Sequence, residues 1–204
     1  MNKVMMRMGS IVVFTMVAAL LFFGCASAPK EEIAATQSAL QAAQTDDVRT
    51  YAPESMKAAE DLMSKATAEV QTQDNKFALS RDYKAASDLL KQAKDAAAKS
   101  QTDAQEAKTK AKADAEATIA TLTTLLEDAK KALATAPKGK DTKAELEALQ
   151  ADLTAAGEAS TAASQAMSQE KYADALAQAN TAKTKATAII DQVNAAKEKV
   201  KGKR

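Results

Sequence analysis

The chain of 204 residues has no histidine and no tryptophan, and it has one cysteine, five glycines and three prolines. Each shortage excludes a kind of chemistry. Without His and with a single Cys it can build neither a zinc site of His and Cys ligands, nor a Ser-His-Asp triad, nor an internal disulfide. Glycine is too scarce for a phosphate-cradling loop. A charge of one sign is missing too, with 28 basic residues against 27 acidic ones, and aromatics make up 3%. A near-neutral, aromatic-poor chain has little with which to hold nucleic acid by phosphate attraction or base stacking. Carboxylates are plentiful, but Thr45-Asp46-Asp47 and Gln73-Asp74-Asn75 are too short for calcium loops. They read as solvated faces and turns. The expectation is a chain with no enzymatic activity, no metal and no cofactor. What the chain does have is alanine, 50 of 204 residues. Alanine buries little area per residue, so the pattern describes long thin helices with close seams and not a broad core.

The N-terminus carries an address. Lys3 and Arg7 form a short basic segment, thirteen largely apolar residues follow at 11–23, and Gly24 and Cys25 close the run. A membrane-spanning helix needs ~20 apolar residues, so thirteen match the apolar region of a secretory signal better. A short uncleaved anchor helix is the plainer alternative. Leu21-Phe22-Phe23-Gly24-Cys25 resembles a bacterial lipobox, with Phe22 and Phe23 in place of the usual Leu and small residue. That resemblance implies cleavage between Gly24 and Cys25, a diacylglyceryl thioether on the Cys25 sulfur and an acyl group on its new amine. Two or three acyl chains, at ~0.8 kcal/mol per buried methylene, hold a protein firmly to a bilayer. Ala26 follows, where Asp in such proteins favours the inner membrane. The resemblance thus implies an outer-membrane anchor facing the periplasm, with the inner membrane or the surface of a single-membrane cell as alternatives. Removing residues 1–24 takes away Lys3 and Arg7 and leaves 26 basic against 27 acidic residues.

In the remaining chain Pro and Gly serve as punctuation. Five helices are expected. The first covers about 30–45, closed by Thr45-Asp46-Asp47. The second starts at Pro53, a residue suited to a first helical position, with Met56, Ala59, Leu62, Met63, Ala66 and Val70 on one face. The third opens between Phe77 and Tyr83 and runs to about 135; as one helix over 80–135 it would be about 84 Å long. The fourth opens at Thr142, where Thr142 and Glu145 fit a capping box, with Leu146, Leu149, Leu153, Ala156, Ala163 and Met167 on its stripe. The fifth follows Ser168-Gln169-Glu170 and uses Tyr172, Ala175, Ala179, Ala182, Ala186, Ile189, Val193 and Val200. Pairs four apart (Asp61 with Lys65, Asp95 with Lys99, Glu106 with Lys110, Glu127 with Lys131) support helix by a few tenths of a kcal/mol each.

An internal echo runs through the chain. Tyr83, Ala86, Ala93 and Lys94 recur as Tyr172, Ala175, Ala182 and Lys183, each 89 residues later. A packing device at a hairpin corner explains the two tyrosines better than a ligand-stacking platform. The organisation expected is all-α: elongated antiparallel helical hairpins, coiled-coil-like, joined by a long helix. Residues 1–24 are the signal and 25–52 the lipidated cysteine, tether and first helix. Hairpins occupy 53–100 and 142–204, with a connecting helix and turn at 101–141. The stretch 99–116 has only Ala as apolar residue and is expected to stand partly free.

Cys25, the short Ala-rich helix, Tyr51-Ala52-Pro53-Glu54, Ala58, Ala59, Leu62 and Ala66, and Tyr83-x-x-Ala86 with Ala93-Lys94 resemble a bacterial lipoprotein family catalogued as domain of unknown function 4398, over about 25–100. The resemblance implies helical hairpins on an envelope lipoprotein and supplies no catalytic residue. Two roles follow as expectations. One is a structural or protein-interaction module, anchored by lipid, that offers helix faces to envelope proteins or to its own copies. The other is a peptidoglycan binder or wall tether acting through the basic tail Lys197, Lys199, Lys201, Lys203 and Arg204. A small-ligand carrier is the weakest reading, since no constellation of residues supports it.

Overall fold

A computed structural model of the protein describes residues 27–139 and 142–201. It is an all-helical bundle. Six α-helices are found among the described residues: α1 (Lys30–Ala43), α2 (Asp46–Tyr51), α3 (Pro53–Asp74), α4 (Lys84–Ala134), α5 (Lys143–Ser168) and α6 (Tyr172–Lys201), with a 3-10 turn at Ala78–Ser80 before α4. The first helix closes at Ala43, as expected just before Thr45-Asp46-Asp47, and the same three residues also start a short second helix. The Thr45 hydroxyl accepts the Val48 N–H at 3.2 Å, which caps α2, and two aspartates in its first turn suit the positive end of the helix dipole. Pro53 takes the first position of α3, where its missing N–H costs nothing.

The helices fall into two compact units. The first holds the described part of Met1–Arg49 together with Pro53–Gln101, and the second holds Thr50–Ala52 with the described part of Thr102–Arg204. In the first, Thr36 Oγ1 donates to the Leu90 carbonyl at 3.3 Å and Gln101 Nε2 to the Ala42 carbonyl at 3.1 Å. Residue numbers rise together in these contacts, so α1 runs parallel to α4. Ser100 lies against Met56, and Tyr83 bonds Asp74, so α3 runs antiparallel to both. In the second unit Lys197 Nζ donates to Thr135 Oγ1 at 2.7 Å and the Lys112 ammonium sits 5.6 Å from the Tyr172 ring centre. The later part of α4 is therefore parallel to α6. The Lys185–Asp152 ion pair at 2.7 Å joins α6 to the antiparallel α5.

Each unit is thus an up-down-up set of three helices, and the buried positions coincide. Ala86, Leu90, Ala93, Ala97 and Ser100 are buried, and so are Ala175, Ala179, Ala182, Ala186 and Ile189; every pair is 89 residues apart. Met56, Ala66 and Val70 of α3 match Leu149, Ala159 and Ala163 of α5, all buried, at a separation of 93. The connection between the second and third helix is consequently four residues longer in the first unit.

Three expectations are corrected. The 99–116 stretch does not stand free, because Ser100, Ala104 and Ala115 are buried; a run of Ala is what a close helix crossing uses. Thr142 makes no capping box: its hydroxyl turns back to accept the Gly139 N–H at 2.8 Å, and no side-chain cap bond forms at α5. Lys110 pairs with Asp114 and Lys131 with Asp128 in place of the expected glutamates, since both partners lie within reach on an exposed helix face.

Candidate functional site

Gly24 and Cys25 lie outside the described residues, as do Lys203 and Arg204. The chain can be followed from Ser27. Ser27, Ala28, Pro29 and Lys30 share a surface depression with Asp74, Arg81 and Tyr83, and Ala28 and Ile33 pack on the cluster of Val70, Tyr83 and Ala86. The end of the first unit nearest to residue 25 in the chain is therefore the end that carries the turn between α3 and α4.

That turn is tightly held. The Arg81 guanidinium donates to the Asp74 carbonyl at 2.8 Å and to the Lys76 carbonyl at 3.1 Å. Buried Gln73 accepts the Asp82 N–H at 3.0 Å, and Asp82 accepts the Lys84 N–H at 2.9 Å, capping α4. The Tyr83 hydroxyl donates to the Asp74 carboxylate. That bond, with burial adding to it, raises the Tyr83 phenol above the ordinary tyrosine value of 10.0, because the neutral form is the one that can donate. Between these fixed points Phe77 and Leu79 are each 73% exposed. In the sequence Phe77 marks only the start of a helix. The signal of a site there is two large apolar residues inside a polar turn, with no helical stripe to absorb them.

The tyrosines resolve into packing and capping. Tyr83 opens α4, and Tyr172 opens α6 beneath the Lys112 ammonium, a cation–π contact. The Tyr51 hydroxyl oxygen accepts the Ala173 N–H at 3.2 Å, which satisfies one of the free donors at the start of α6.

The basic tail is divided. Lys197 is half-buried and donates to Thr135, and Lys201 pairs with Glu198 at 2.9 Å. At 3.6 residues per turn Lys197 and Lys201 share a face of α6, and Lys199 points to the other side. No cationic patch forms from these three. Among the described residues no group of acidic residues is placed to hold a metal ion, every buried side-chain nitrogen and oxygen has a hydrogen-bond partner, and no helix is long and apolar enough to cross a membrane. Comparison with family models, with curated proteins and with solved structures finds no match to this chain.

Proposed function

We propose that this chain is a lipid-anchored, non-enzymatic protein of the bacterial envelope, held to the outer membrane through Cys25 and facing the periplasm, where its helix faces serve as a structural and protein-interaction module. The observation that carries the reading is the order Lys3, Arg7, thirteen largely apolar residues, Gly24 and the only cysteine. A run of that length fits a signal and not a span. The resemblance to the lipoprotein family domain of unknown function 4398 belongs to the same proposal. Support also comes from the position of α1, whose first residue is Lys30; the tether between anchor and fold is then short. The wall-tethering alternative has less behind it. Lys197 and Lys201 already have partners within the fold, and Lys199 faces away from them.

The test is metabolic labelling with an alkyne analogue of palmitate in a bacterial host. The wild-type chain is expected to take up label and to sediment with membranes, and Cys25→Ser to lose both. An unlabelled wild-type chain, or a Cys25→Ser chain that still sediments with membranes, defeats the proposal.

A further inference from the structure

We propose that the turn at 75–82 is a membrane-docking element, in which Phe77 and Leu79 enter the interfacial layer of the bilayer that holds the acyl chains of Cys25. The proposal rests on the lipid-anchor reading for its geometry. Its residues, however, belong to a separate part of the chain and can be probed separately.

The fold itself has no use for these two side chains. In the second unit the equivalent connection is Gln169-Glu170-Lys171, three polar residues that close the same kind of hairpin. In the register of the buried positions the first unit's connection is 76–82, four residues longer, and it holds two large apolar side chains, each 73% exposed. They are not exposed for want of order. Arg81, Gln73, Asp82 and Tyr83 tie the turn to the ends of α3 and α4, and the Ser80 N–H donates to the Phe77 carbonyl at 2.8 Å. The backbone is held in a shape that points apolar groups at the solvent.

Position identifies the occupant. Ser27, two residues past Cys25, lines a depression with Asp74, Arg81 and Tyr83, and two residues of chain reach about 7 Å at most. An anchor at residue 25 therefore brings the bilayer surface to this turn. Charge identifies the mode of contact. Lys30, Lys76, Arg81 and Lys84 stand among Glu31, Glu32, Asp74, Asp82 and Asp88, so no cationic field draws the turn to anionic headgroups. The contact is apolar and indifferent to lipid charge. A turn fixed in the bilayer at a second point, besides the lipid, restricts the tilt of the first unit on the membrane in a way that a single acylated residue cannot.

The chain has no tryptophan, so one introduced tryptophan reports cleanly. Full-length protein carrying Phe77→Trp is purified from the bacterial envelope and placed in phosphatidylcholine vesicles with brominated acyl chains. Its mass reports the modification at Cys25 separately. If that residue is unmodified, the sole cysteine is coupled to a maleimide-headgroup lipid, so the turn is tested even where the lipoprotein reading fails. The emission is expected to shift to shorter wavelength and to be quenched by the bromines, with no loss of quenching at high salt. The same probe at Gln41, exposed on α1 about 16 Å along the helix from Lys30, is expected to stay unquenched. An unshifted, unquenched probe at position 77 overturns the proposal, as does quenching that needs anionic lipid or vanishes in salt, or equal quenching at position 41.

Discussion

Glu170 is a non-glycine residue with positive φ, 60°, at the end of α5. Its own N–H donates to the Met167 carbonyl at 3.1 Å and the next N–H, from Lys171, to the Ala166 carbonyl at 3.0 Å. This is the paired closure in which glycine normally takes the left-handed position. A Cβ there is strained, and Glu170→Gly is expected to stabilise the fold by about 0.5–1 kcal/mol, read as a higher denaturant midpoint with unchanged slope. Tyr83 gives a second residue-scale prediction. Its pKa is raised in the fold, chiefly by the bond to Asp74. The bond therefore contributes in full below the unfolded value near 10, and the contribution is lost as pH rises through the higher folded value. Tyr83→Phe should lower stability at neutral pH, because the bond to Asp74 is lost. It should also flatten the decline that wild type shows in alkaline melts. A Tyr83→Phe chain that still declined as steeply as wild type would show that the Asp74 bond is not the group responsible.

At the scale of the element, helix formation here is a matter of propensity and seam. The 51 residues of α4, about 77 Å at 1.5 Å each, contain no glycine or proline, and the stripe that keeps the helix packed is largely alanine. Gly157 of α5 is the exception to the propensity rule. A Cβ built there meets nothing within 4 Å, so Gly157→Ala is expected to add about 0.5–1 kcal/mol through the lower freedom of the unfolded chain and better helix propensity. A thermal melt checks it, and a lower midpoint would mean that space at Gly157 is used. Helix positions and the faces they bury were legible in the sequence, because periodicity and Pro53 mark them directly. Three things were not. The Thr142 hydroxyl oxygen accepts the Gly139 N–H and not a helix N–H, and local sequence cannot rank two donors for one oxygen. Thr45 marks the end of α1 but also caps α2, and the second role is hidden because the same residue types end and start helices. The burial of Ala104 and Ala115 depends on which helix comes to lie beside them, and an Ala-only stripe is too weak in hydrophobicity to announce that. At the candidate site, run length carries the expectation for residues 11–25, which lie outside the described residues. The exposure of Phe77 and Leu79 was not legible, since a turn has no periodicity from which to infer a face.

Across the molecule the same three-helix set is used twice, and the second use exchanges large for small within a layer. In the first unit Thr36 of α1 lies against Leu90 of α4, both buried. Leu90 corresponds to Ala179 at the separation of 89. In the second unit Ala179 shares a cluster with Leu122 of the parallel helix α4; Leu122 and Ala129 match Thr36 and Ala43 of α1, all buried, at a separation of 86, so a large residue and a small one have traded helices. A layer of this kind is constrained by its summed volume more than by which helix supplies the bulk. Ala179→Leu alone, at a position 0% exposed, overpacks the layer and should cost about 1–3 kcal/mol. Leu122→Thr alone empties it and should cost about 2–4 kcal/mol, from lost burial and residual cavity. The double variant rebuilds the arrangement of the first unit, in which a threonine hydroxyl bonds the carbonyl of the residue facing it. Its cost should fall short of the sum of the singles by more than 1 kcal/mol, a coupling that a double-mutant cycle in denaturant reads directly. Strict additivity would mean that the two units share a pattern of burial without sharing a packing solution, and the correspondence at 89 residues would then describe only helical periodicity.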